Sequence, residues 1–211
     1  EIAGTVDKIA YVVNADGSHS PLSLEQREIL IRGLKQYGID VVRNLQEAGL
    51  RIALVDETQA PEGGYAKDLP EWPESAAGYY DPFTKTVLLG QQSIGDGNGQ
   101  GYFVHEVGHA IDDFFAEDIG NPPFLALFRS DTDKKADLMY EAYQERSKEN
   151  PSSVWSPYAA TSKHEYVAEG MRYYLDPELR KQLAEKDPEL YAYVEAMLAE
   201  ASKPHGLGKS E

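Results

Sequence analysis

One helix-length run constrains this chain more than any other feature: Tyr102-Phe103-Val104-His105-Glu106-Val107-Gly108-His109-Ala110-Ile111-Asp112-Asp113-Phe114 is apolar on most sides, yet carries two histidines and a glutamate within it. A helix of this kind has to be buried, and buried imidazoles and carboxylates need partners. The rest of the chain must therefore wrap it and also return polar groups to it. With 211 residues, 41% of them hydrophobic, residues 1–211 have material for one compact core and read as a single domain.

Residues i and i+4 of an α-helix lie one turn apart on the same face, so His105 and His109 can both reach one Zn²⁺ ion at about 2.0–2.1 Å. Glu106 is rotated by about 100° from His105. That places it near enough to act as general base on a water at the site, and too far round to be an easy ligand. By chance the pattern His-Glu-x-x-His is expected about 0.01 times in a chain of this composition. Zero cysteines remove thiolate sites, disulfides and thiol catalysis together, so any metal is held by His, Asp, Glu or carbonyl oxygens.

A third protein ligand is required, with the fourth position open. Asp112 and Phe115 stand where a three-histidine extension of the motif needs Gly and His, which excludes that class. Two later helices offer carboxylates at i and i+4. Glu141 and Glu145 share a face with Asp137 and Lys148 and read as a solvated stripe. Glu165 and Glu169 instead lie in His164-Glu165-Tyr166-Val167-Ala168-Glu169-Gly170-Met171, in mainly apolar company. Glu165 is the expected ligand, and Glu169 the acceptor for the free N–H of a ligating histidine. His164 points roughly 100° away from the Glu165 face and reads as a rim residue. Asp112 is either buried, bonded to backbone or to a ligand histidine, or else a surface carboxylate.

The remaining pattern organises the chain around this helix. Lys8–Val13 is a β-prone run ended by the turn signal Asn14-Ala15-Asp16-Gly17. Ser23 and Gln26 have capping-box spacing before a helical stretch from Ile29 to Leu45, which Gly33 or Gly38 could interrupt and Gly49 stops. Residues 51–55 return as a strand, so a parallel or mixed βαβ start is expected. Residues 57–101 are loop-rich, with a strand at 84–89 hairpin-paired to residues near Tyr79. Helical segments follow at about 102–117, 132–149, 163–175, 177–186 and 188–201, and 203–211 read as a tail. Asp96-Gly97-Asn98 opens like a calcium loop, but the twelfth position of that template is Val107 where a glutamate is needed.

A net charge of -16 is the wrong sign for nucleic acid or an anionic lipid surface. No run approaches the roughly 18 apolar residues of a membrane span. The chain begins at Glu1 without a methionine, as a trimmed chain or a mature secreted form would.

His105 to Asp113, followed by Tyr158-Ala159-Ala160-Thr161 and Glu165-Tyr166-Val167-Ala168-Glu169, resembles the catalytic domain of anthrax lethal factor and the smaller secreted Pro-Pro endopeptidases of the same superfamily. The likeness runs over roughly residues 100–200, and its most specific part is the tyrosine seven residues before the third ligand. It implies an α+β, zincin-like fold with a small N-terminal twisted mixed sheet and helix (1–100), then an active-site helix and helical C-terminal lobe (101–202). It also implies one zinc per chain held by His105, His109 and Glu165, with Glu106 as base and Tyr158 assisting the transition state. The implied protein is a secreted, monomeric metalloendopeptidase acting on extended peptide. The 84–89 strand, through Val87 and Leu88, would be the edge that pairs with substrate, with Trp72 and His164 beside it. Two departures from the Pro-Pro pattern stand out: Tyr79-Tyr80-Asp81-Pro82-Phe83-Thr84 replaces a Gly-rich turn, and His164 replaces an acidic residue. The alternative is a lethal-factor-like module that binds protein without cleaving it.

Overall fold

The computed structural model describes residues 1–14, 16–56, 77–95, 98–116 and 123–204. It opens with a helix, α1 (Ile2–Ile9), that the strand expectation from Lys8 overlooked. Ile2, Val6 and Ile9 recur at helical spacing, and the last two are buried in the core. The strand proper, β1 (Ala10–Val13), turns through Asn14–Ser18 into β2 (His19–Ser20). Ser23 and Gln26 form the reciprocal capping box at the start of α2 (Leu24–Tyr37). The helical stretch breaks at Gly38, where φ is +86°, into α3 (Ile39–Glu47). The strand β3 (Arg51–Val55), the hairpin β4 (Gly78–Asp81) and β5 (Thr86–Gly90), and the short helix α4 (Gln91–Gly95) follow.

These strands form one mixed sheet in the order β2-β1-β3-β5-β4. β1, β3 and β5 run parallel, and the two outer strands are antiparallel to their neighbours. The pairing of β4 with β5 opposes Tyr79 to Leu88 and Tyr80 to Val87. This corrects the substrate-edge expectation: β5 is an interior strand, Val87 and Leu88 are fully buried, and the outer strand on that side is β4. The sheet alternates by face as a period of two requires. Val12, Ile52, Leu54, Val87 and Leu89 enter the main core, while Val13, Ala53, Val55 and Leu88 cluster on the other face with Tyr11 and Tyr79.

The remainder is helical: α5 (Gly99–Ala116), α6 (Pro123–Glu149), a 3-10 turn (Tyr158–Ala160), α7 (Lys163–Leu175), α8 (Leu179–Lys186) and α9 (Pro188–Ala201). α6 begins nine residues earlier than the sequence suggests. It opens on Pro123, and proline is favoured at the first helical position. Glu141 and Glu145 are exposed on α6, as the stripe reading requires. α5 packs on α2, on the sheet and, most extensively, on α7. Gly108 makes that last contact close: a Cβ there would stand 3.2 Å from the Cα and carbonyl oxygen of Ala168.

The C-terminal helices are tied together by Asp187, a carboxylate only 2% exposed. It accepts hydrogen bonds from Tyr166 Oη (2.8 Å), Trp155 Nε1 (3.3 Å) and Arg146 Nη2 (3.1 Å) while capping α9 through the Leu190 N–H.

Candidate metal centre

The close approach of α5 and α7 brings His105 and His109 from one helix against Glu165 from the other. His105 Nε2 lies 2.8 Å from Glu165 Oε2 and 3.1 Å from His109 Nε2, which is itself 3.3 Å from the same carboxylate oxygen. Two ligands each about 2.05 Å from a tetrahedral zinc would be about 3.3 Å apart, so this donor set has close to the spacing and the chemistry that zinc takes. Among the described residues it is the one group of three that could hold a metal ion.

Glu169 lies one turn along α7 from Glu165 and receives the other ring nitrogen of His105, with Nδ1 3.1 Å from its Oε2. Its remaining acceptor positions are filled by Arg172, through Nε at 2.8 Å and Nη2 at 2.6 Å, and by Ser156 Oγ at 3.1 Å. Burial works to raise the Glu169 carboxyl, but Arg172 and His105 outweigh it and hold it down at about 2. For Glu165 burial acts in the same sense, and the two histidines hold the group well below the usual carboxylate range. His105 shows the converse: burial disfavours its charge, yet Glu165 and Glu169 raise it to about 9. A locus where carboxylates retain a proton on a buried imidazole is a locus that attracts a cation.

Glu106 is 8% exposed on the sheet side of the same helix. Burial raises its pKa, tempered by His109, His105 and the nearby Tyr80 backbone of β4. Gly78 on that strand leaves the room: a Cβ there would fall 2.8 Å from Glu106 Cγ and 3.1 Å from its Oε1. Tyr158 lies across the site, its ring centroid 5.7 Å from that of His105. Burial and the Glu165 charge push this phenol up to about 12, so it stays a donor at neutral pH.

Asp112 touches neither ligand histidine. Its Oδ2 is 3.0 Å from Nδ1 of His164, an exposed side chain at the rim, so of the alternatives for Asp112 the one in which it orients a ligand histidine is corrected. Asp113 instead accepts from Tyr80 Oη at 2.7 Å, tying α5 to β4. Trp72 lies outside the described residues. Three contributors were not named from sequence: Arg172, readable as an i,i+3 partner of Glu169, and Ser156 and Gly78, which carry no local signal.

Comparison with known proteins bears on this arrangement. The family described as anthrax toxin lethal factor, N- and C-terminal domain, matches residues 30–197. No curated protein matches the sequence significantly. Among solved structures, the Pro-Pro endopeptidase PPEP-2 from Paenibacillus alvei is similar with a TM-score of 0.58 at 16% identity, the match covering 92% of this chain and 99% of that one.

Proposed function

The chain belongs to the anthrax toxin lethal factor family, and from that premise we propose that it is a zinc-dependent metalloendopeptidase. One observation carries the reading: His105 Nε2, His109 Nε2 and Glu165 Oε2 converge within 2.8–3.3 Å of one another, beside a buried carboxylate that belongs to no ion pair in the cluster.

In this reading His105, His109 and Glu165 hold the zinc, which when bound supplies Lewis-acid polarisation of a peptide carbonyl and acidifies water. Glu106, its pKa raised by burial, takes a proton from the attacking water and returns it to the leaving amine. Tyr158 donates its hydroxyl to the oxyanion as charge develops, where a hydrogen bond is worth more than in the ground state. Glu169 fixes the tautomer of His105 by accepting its Nδ1–H. Extended peptide pairs with β4, the outer strand beside Glu106. The non-cleaving alternative is disfavoured because every one of these groups is present.

Replacing Glu106 by Ala tests the assignment. Turnover falls by roughly 10²–10⁴-fold or more while elemental analysis still finds one zinc per chain; surviving activity would overturn the base assignment. The finer reading is cleavage between two prolines. It is supported by likeness to PPEP-2, and a peptide library with proline on both sides of the bond tests it: cleavage with no proline preference sinks it.

A further inference from the structure

The mechanism needs Tyr158 to face the metal ligands, yet Tyr158 sits on a short connection between two helices and is 53% exposed. What holds it lies two residues upstream. Ser156 is 4% exposed, and its hydroxyl donates to Glu169 Oε1 at 3.1 Å. That bond is not needed to neutralise the carboxylate, which Arg172 already grips with two hydrogen bonds. It completes the filling of Glu169, whose other partner is His105. The Ser156 backbone is closed in both directions on a single buried phenol: its N–H donates to Tyr143 Oη at 3.0 Å, and its carbonyl accepts from the same hydroxyl at 2.5 Å.

Between Ser156 and Tyr158 there is only Pro157, with φ fixed by its ring at −61°. Beyond Tyr158, Ala159 is fully buried, and the Ala160 carbonyl accepts from Tyr140 Oη at 3.0 Å and Gln144 Nε2 at 3.3 Å. The segment is thus pinned to α6 at both ends and, through the Ser156 hydroxyl, to the carboxylate that pairs with His105. A buried serine kept only for satisfaction could close on a nearby carbonyl; this one reaches across to the carboxylate that orients His105.

We propose that Ser156 is a positioning residue that couples the His105–Glu169 pair to the Tyr158 segment, so that filling the metal centre and placing the Tyr158 hydroxyl are one linked event. The inference rests on the zinc-peptidase reading for its catalytic consequence, though not for the coupling itself.

The full-length chain and its Ser156→Ala, Ser156→Thr, Tyr158→Phe and S156A/Y158F variants are compared in two measurements. In the first, amide hydrogen exchange at Ala160 and Thr161 is followed with and without zinc. Zinc increases protection in the parent chain and in S156T, and most of that gain is lost in S156A. In the second, S156A lowers kcat about tenfold with KM within about twofold, the scale of one buried hydrogen bond, and adds little to Y158F. An equal zinc-induced gain in S156A, or losses that multiply in the double variant, overturns the proposal. Should S156A fail to fold, Ser156→Cys, a weaker donor of similar size, carries the same comparison. Zinc-linked protection without any peptidase turnover would sink the enzymatic reading and leave the coupling standing; turnover with unchanged protection in S156A would do the reverse.

Discussion

At the scale of single residues, the proposed general base is set as much by a missing side chain as by any partner. Glu106 packs against β4 at Gly78, and a methyl group there would overlap its Cγ at 2.8 Å and press on Leu89 Cδ2 at 3.1 Å. The glutamate is the mobile party, so Gly78→Ala should displace it rather than unfold the sheet. The expected result is a kcat lowered by about 10–100-fold, as for a catalytic group moved by up to an ångström, with zinc content unchanged. Steady-state kinetics beside metal analysis reads this directly. Tyr158 illustrates the same scale from the other side: a phenol among 14 tyrosines has no distinguishing chemistry, and its role depends on where the 3-10 turn aims it.

At the scale of elements, the site exists because two helices approach more closely than ordinary side chains allow. Gly108 on α5 faces the backbone of Ala168 on α7, and neither backbone can swing aside as a flexible side chain could. Gly108→Ala should therefore wedge the pair apart, costing about 1–3 kcal/mol of stability as overpacking does, seen as a lower denaturation midpoint at an unchanged slope. Because the wedge lies between the histidines and Glu165, zinc affinity should fall in the same variant. The helices themselves were legible: the 3.6-residue period around His105 and around Glu165, and the spacing of Ser23 and Gln26, each specify their element locally. The pairing of Glu169 with His105 was legible too, since a buried carboxylate one turn from a ligand has few other uses. The position of β5 inside the sheet was not, because a run of Thr86-Val87-Leu88-Leu89 has the same composition whether one neighbour or two flank it. The partner of Asp112 was not legible for a related reason. Its partner His164 lies 52 residues away, and no local pattern says which of several carboxylates an exposed imidazole will meet.

At the scale of the whole molecule, a ligand that binds only the folded chain stabilises it by mass action. Zinc at a hundredfold excess over its dissociation constant contributes about 2.7 kcal/mol, which in a chain of this size raises Tm by about 5–10 °C. Chelation should reverse the shift, and added zinc should restore it in a concentration-dependent way; scanning calorimetry or thermal fluorescence provides the check. The clasp of α5 on α7 has a further consequence in polymer terms. His105 and Glu165 are 60 positions apart, so their meeting closes a loop of that length, with a chain-entropy cost of about 3.6 kcal/mol beyond a constant. Because this cost grows only logarithmically, doubling the loop would add about 0.6 kcal/mol. Chain entropy therefore places little limit on the length of the stretch between the two clasped helices; what limits it is the seating of the Ser156–Ala160 segment on α6 and on Glu169.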